Sequence, residues 1–190
     1  SMILHVLTKQ NIEHNYMVGA QLEGFDCMVK LTNNSKIAII EGDEYLSSPI
    51  DRRPKFHLYK PNIAVISGIA WDHINVFPTF ENYVEQFNIF AKSIDENGSL
   101  IYCQEDSELK KMVNSNSYSC ELSPYKTHDH VIIENNTYLT DNDTHHKIDI
   151  FGNHNLQNLK AAQIVCEKIG VSSSEFYSSI ADFKGASKRM

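Results

Sequence analysis

Hydrophobic and polar positions run along this chain in two rhythms, and the change of rhythm marks out its elements. Ile3, Val6 and Leu7 fall on one helical face, so Met2–Gln10 reads as a helix in which the chain begins, with only Ser1 before it as a cap. Two short apolar runs rich in β-branched residues follow, Lys36–Glu41 and Asn62–Gly68, and they predict strands buried on both faces. Each run gives way to polar residues, Glu41-Gly-Asp-Glu44 and Trp71-Asp-His73. Thr79–Ile94, entered from Pro78, sets Phe80, Tyr83, Val84, Phe87 and Phe90 along one side of a helix. Leu100–Cys103 reads as a further strand and Glu105–Val113 as a short charged helix. This strand–helix repetition implies an α/β fold, a mostly parallel sheet flanked by helices. Right-handed crossovers then bring the strand ends to a common edge, where open α/β sheets bind their ligands.

From His130 the rhythm changes to alternation. Val131–Glu134, Thr137–Thr140 and His146–Ile150, separated by Asn-Asn and Asp-Asn-Asp turns, predict a small antiparallel subsheet near residues 129–150. Helical periodicity returns over Asn155–Ile169 and Ser173–Phe183, with Ser172 or Ser173 as the cap between them.

Composition narrows the function classes. A chain of 190 residues, 42% hydrophobic, is about one domain long and can bury a core. A net charge of −7 and a pI near 5.7 give no electrostatic ground for nucleic acid or an anionic membrane as the partner, so an anionic ligand needs a local site. The segment Asp51–Lys60 mixes basic and aromatic residues but is too short to overrule that balance. Cys27, Cys103, Cys120 and Cys166 lie far apart without CxxC pairing, as reduced thiols of a cytosolic protein do. No apolar run approaches the roughly 20 residues of a membrane helix, and no signal peptide opens the chain, so a soluble, cytoplasmic protein is expected.

Three places carry candidate chemistry. Glu41 directly follows one strand and His73 stands a few residues beyond the next; a carboxylate and an imidazole so placed can share a divalent cation, with water and phosphate oxygens completing its shell. The same spacing also fits a solvated Glu41 and a local Asp72–His73 pair. Asn155 and Asn158, three apart in the Gly152–Asn158 stretch, face one way at the start of a helix, and their amides suit the donor–acceptor edge of adenine or serve as an N-cap. Lys188 and Arg189 follow a glycine turn at the end of the chain, where arginine can clamp a phosphoryl group or simply be solvated. His128/His130 and His145/His146 fall in turn-rich chain without cysteine or carboxylate partners at useful spacing, which argues against a metal there.

Together these segments resemble the Mur ligases, and within them the branch that adds the murein tripeptide. Glu41-Gly-Asp-Glu-Tyr45 is similar to that branch's Glu-Ala-Asp-Glu-Tyr, and Asp51–Pro61 to its Asp-x-Arg-Ser-Lys-Phe-x-x-Tyr-x-Pro. Asp72-His73 with Phe77, the Gly152-x-His-Asn-x-x-Asn158 stretch and Phe183-x-Gly-x-x-Lys-Arg-Met190 match further family segments in the family's order. The resemblance implies a P-loop NTPase-like central domain that binds ATP and Mg2+. Glu41 and His73 would ligate the magnesium, Asn155 and Asn158 contact adenine, and Arg189, with Lys188 beside it, reach the γ-phosphate. It implies the joining of UDP-N-acetylmuramate to L-Ala-γ-D-Glu-meso-diaminopimelate through an acyl phosphate, as in peptidoglycan recycling. The L-alanine-adding branch is the nearest alternative, and a non-catalytic nucleotide-binding or interaction module the next.

The chain departs from the family in three ways. No GxxxxGK[ST] loop occurs in it, and Ser1–Leu7 resembles the helix that follows that loop. The UDP-sugar domain and the C-terminal domain are absent, so residues 1–190 are expected to be a central-domain fragment, inactive alone. Val84-Glu-Gln-Phe-Asn88 holds no lysine where some relatives carry a carbamate, which favours the muramate and tripeptide branches.

Overall fold

Leu4, Val6 and Leu7 are fully buried, and that apolar stripe makes Met2–Lys9 the first helix, α1. The computed structural model describes residues 1–19, 27–72 and 74–185, and these gather into two compact units, residues 1–41 with 127–185 and residues 42–126. The chain crosses between units after Glu41 and after Lys126.

In the first unit α1 ends where Asn11 takes a positive φ of 54°, a conformation asparagine tolerates. Asn15–Met17 (β1) then pairs antiparallel with Val29–Lys30 (β2) and parallel with Ala38–Ile40 (β3), Tyr16 lying opposite Ile39. Leu4 packs on Tyr16 and Val18, which seats α1 on β1. The double burial expected of β3 does not occur. Among the described residues it hydrogen-bonds to β1 alone, Ile39 packs inward, and Ile40 is 42% exposed on the other face.

The antiparallel subsheet forms as expected, from His130–Ile133 (β7), Asn136–Asp141 (β8) and Thr144–Ile148 (β9). Glu134 and Asn135, with φ of 49° and 63°, make the tight hairpin turn that matches strand twist. Asn153–Lys168 (α4) and Ser173–Ile180 (α5) close the unit. Gly170, at φ 98°, ends α4 in a left-handed turn, with the Val171 N–H returning to the Cys166 carbonyl. Ser172, rather than Ser173, caps α5 through a reciprocal box with Glu175. Val6, Leu7, Leu139, Leu159, Phe176 and Ile180 meet in one core, each worth about 1.5–3 kcal/mol of burial.

The second unit is built on the parallel sheet Ile63–Ile66 (β4), Ser99–Cys103 (β5) and Glu121–Tyr125 (β6), in that order. β5, in the centre, is buried throughout; β4 is an edge strand, with Ala64 and Ile66 inward and Val65 38% exposed, so its double burial also fails. Gly98 is obligatory at the entry to β5, since a Cβ there would lie 2.4 Å from the Asn62 carbonyl oxygen. Phe80–Lys92 (α2), capped by Thr79, and Ser107–Asn114 (α3), capped by Asp106, are the expected helices. Phe56, in the 3-10 turn Lys55–Leu58, packs against Phe87 and Phe90 of α2. β3 and β4 belong to separate sheets, so the common edge expected of them is not formed by one hydrogen-bonded sheet. Among the described residues no helix is long and apolar enough to cross a membrane.

Candidate functional site

Parallel pairing of β1 and β3 sets Met17 opposite Ile40, so the residues leaving the two strands travel side by side. The Glu41 N–H donates to the Met17 carbonyl at 2.9 Å, and the Gly19 N–H donates to Glu41 Oε2 at 2.8 Å. The carboxylate is thus aimed by its own backbone and by a neighbouring strand end while remaining exposed to solvent. Glu41 and the Gly19 backbone thus stand together just beyond the paired ends of β1 and β3. An anchored hard oxygen suits Mg2+, so Glu41 fits a ligand of a magnesium–nucleotide complex.

The second candidate lies on α4 in the same unit. Leu156 and Leu159 enter the core, which turns the residue before each, Asn155 and Asn158, outward to the surface. The N-cap is Gly152, at φ 89°, with no side-chain cap bond, so neither asparagine acts as the cap. One N–H of the Asn155 amide donates to the Phe151 carbonyl at 2.8 Å, and the Thr127 hydroxyl donates to Asn153 Oδ1 at 2.9 Å. Phe151 itself, one residue before the capping Gly152, is 78% exposed. Outward amides can bond to the edge of a base, and an exposed ring in the same stretch of chain can stack on a base's face. Sequence patterning overlooked Phe151, whose one signal is a large apolar residue directly before the capping glycine.

His73, Lys188 and Arg189 lie outside the described residues, so the Glu41–His73 pairing and the basic end of the chain remain expectations. Among the described residues no group of three or more histidine, cysteine or acidic side chains is placed to hold a metal ion. His128 and His146 are occupied otherwise. His128 is buried, with Nδ1 2.8 Å from the Asp129 carbonyl and Nε2 3.0 Å from the Tyr177 hydroxyl, and His146 stacks on the Tyr177 ring at 4.3 Å. The basic–aromatic stretch after Glu41 is folded on itself. Arg53 grips Asp51 with two hydrogen bonds, which holds that carboxyl at about 2, and Lys55 donates to Asp43 at 2.7 Å.

Residues 5–166 match the family model described as the Mur ligase middle domain. The UDP-N-acetylmuramate–L-alanine ligase of Caldicellulosiruptor bescii is 29% identical over 202 residues that take in all of this chain and 43% of the relative. The UDP-N-acetylmuramate–L-alanyl-gamma-D-glutamyl-meso-2,6-diaminoheptandioate ligase of Haemophilus influenzae is 22% identical over 205 residues, again all of this chain and 43% of the relative. The chain thus spans less than half the length of these curated relatives. In fold it is similar to the UDP-N-acetylmuramate:L-alanyl-gamma-D-glutamyl-meso-diaminopimelate ligase of Neisseria meningitides, with a TM-score of 0.83 at 19% identity over 98% of this chain and 62% of that one. A likeness of 0.68 at 20% identity holds to the MurF ligase of Thermotoga maritima solved with ADP, over 96% of this chain and 44% of that one.

Proposed function

Because the chain belongs to the Mur ligase middle-domain family, we propose that it is the nucleotide-binding portion of an ATP-dependent ligase that joins the carboxylate of UDP-N-acetylmuramate to an amine. The observation that carries this is Glu41, an exposed carboxylate oriented by the Gly19 N–H just beyond the paired ends of β1 and β3. The acceptor is the tripeptide L-Ala-γ-D-Glu-meso-diaminopimelate, on the strength of the Asp51–Pro61 segment. L-alanine is the second reading, favoured by the 29% identical relative. UDP-N-acetylmuramate is common to both readings. With the chain covering 43% of its relatives, we take it as the central part of a longer cytoplasmic enzyme, its sugar-nucleotide and C-terminal domains lying outside it.

In this proposal ATP, held with Mg2+, supplies the phosphoryl group that activates the muramoyl carboxylate. Glu41 and His73 ligate the metal, and the Gly19 N–H keeps the Glu41 carboxylate in one orientation so that little is lost on binding. Asn155 and Asn158 bond the adenine edge, with Phe151 as the adjoining ring. Lys188 and Arg189 offset charge on the phosphates being transferred. Catalysis of this kind rests on placement and fixed charge rather than on covalent participation of the protein.

The test is phosphate release by the full-length parent protein with ATP, magnesium and UDP-N-acetylmuramate, in separate wells with the tripeptide or with L-alanine. Release with the tripeptide alone supports the first reading and release with L-alanine alone the second. Silence with both refutes the ligase and leaves a nucleotide-binding module. Glu41→Gln keeps an acceptor for the Gly19 N–H but removes the charge. It is expected to lower turnover by about 10²-fold or more with the melting temperature unchanged. His73→Ala should do likewise, and undiminished turnover of both variants at saturating magnesium would refute the metal assignment.

A further inference from the structure

The hydrogen bond that orients Glu41 also makes its two oxygens unlike. The Gly19 N–H donates to Oε2 at 2.8 Å, and among the described residues no hydrogen-bond donor reaches Oε1. A cation gripped by both oxygens has to share Oε2 with that N–H, whereas a cation on Oε1 alone does not.

The backbone holds this asymmetry in place. Parallel pairing sets Met17 opposite Ile40, and the Glu41 N–H donates to the Met17 carbonyl at 2.9 Å, so Glu41 is fixed at one level beside the end of β1. The Val18 N–H donates to the Met28 carbonyl at 2.9 Å, which ties down the residue before Gly19 as well. Room is not what the glycine provides. A Cβ at position 19 meets Glu41 Oε2 at 3.6 Å and Oε1 at 3.8 Å, which are ordinary contacts, so position 19 serves the carboxylate through its N–H.

One-oxygen and two-oxygen ligation suit different cations. Mg2+ is small, demands a near-ideal octahedron, keeps several of its waters and draws on few carboxylate oxygens. Ca2+ is larger, takes about six to eight oxygens in a flexible shell and accepts a carboxylate through both of its oxygens. We propose that Gly19 is a positioning residue that sets metal selectivity: its N–H occupies Oε2, restricts Glu41 to ligation through one oxygen, and so favours Mg2+ over Ca2+ at the nucleotide site. The proposal rests on the reading of Glu41 as a metal ligand, and it adds the group that discriminates between cations.

The test uses the full-length parent protein with ADP. Electron paramagnetic resonance measures the Mn2+ that it binds and the concentrations of Mg2+ and of Ca2+ that displace half of that Mn2+, so binding is read without turnover. Gly19→Pro removes the N–H, and Gly19→Ala keeps it without a clash. The ratio of the Ca2+ midpoint to the Mg2+ midpoint is expected to fall by about 10-fold in Gly19→Pro and to stay at the wild-type value in Gly19→Ala. Circular dichroism and the melting temperature show whether Gly19→Pro is folded. Where it is not, Glu41→Asp takes its place, because it draws the carboxylate back from the Gly19 N–H and keeps the charge, and the ratio is expected to fall in the same direction. A wild-type ratio in folded Gly19→Pro, or in Glu41→Asp where that variant decides, overturns the role of Gly19, as does an equal fall in Gly19→Ala. If Glu41→Gln binds Mn2+ as the wild type does, the metal reading of Glu41 fails and takes the proposal with it, a failure that the Gly19 variants alone do not produce.

Discussion

Tyr177→Phe removes one oxygen from a buried polar relay and leaves its ring in place. Lys160 donates to Gln163 Oε1 at 3.0 Å, Gln163 Nε2 donates to Glu167 at 2.9 Å and to the Tyr177 hydroxyl at 3.2 Å, and that hydroxyl lies 3.0 Å from His128 Nε2. His128 Nδ1 faces the Asp129 carbonyl at 2.8 Å, which can only accept, so Nδ1 carries the proton and Nε2 accepts from tyrosine. The phenylalanine ring keeps the stack on His146 and the contact with Phe176, so the apolar contribution barely changes. What is lost is a partner for each of two buried groups, His128 Nε2 and one Gln163 N–H, at about 1–3 kcal/mol apiece. A destabilisation of about 2–6 kcal/mol is expected, read from the urea midpoint at constant m-value by circular dichroism. Tyr177→Phe combined with His128→Leu should cost less than the sum of the single changes, since removing both partners strands neither. A single-variant change under about 0.5 kcal/mol, the size of an ordinary surface substitution, would refute the relay as a stabilising element.

The same histidine gives the stability of the first unit a pH dependence: burial lowers the His128 pKa below its ordinary value, with Lys160 adding to the shift and Asp129 opposing it. Because the folded state binds the proton less readily than the unfolded one, stability is complete above about pH 6.5 and falls as the pH drops from there towards the depressed folded value. Urea midpoints at pH 8, 7, 6 and 5 check this, and His128→Gln should flatten the part of the profile that His128 supplies. In the second unit, Gly98→Ala sets a methyl 2.4 Å from the Asn62 carbonyl oxygen and 2.9 Å from that of Asp95. The backbone must shift to accept it, and a loss of about 2 kcal/mol or more is expected; a melting temperature within a degree of wild type would show that the entry to β5 yields easily.

What could be read from the chain alone follows from how local each signal is. The face of α4 was legible because Leu156 and Leu159, each one place after an asparagine, fix which way Asn155 and Asn158 point. α2, α3 and the subsheet were legible through apolar period and through turn residues such as Asn135. β6 was not. Glu121, Ser123 and Pro124 read as loop, and the segment becomes a strand only because β5 offers it an edge, with Pro124 opposite Tyr102 where a missing donor is tolerated. β3 and β4 misled in the opposite sense, since β-branched runs that predict double burial also serve strands with one face out.

The candidate site divides along the same line. Glu41 could be picked out as the polar residue ending an apolar run, but nothing near it in sequence announces Gly19, which reaches it across 22 residues through the β1–β3 pairing. Periodicity therefore finds the side chains that a site presents, whereas the groups that aim those side chains emerge only with the tertiary pairing. A variant that leaves Glu41 intact but disturbs the β1–β3 pairing that aims it is where sequence patterning and the folded structure make different forecasts.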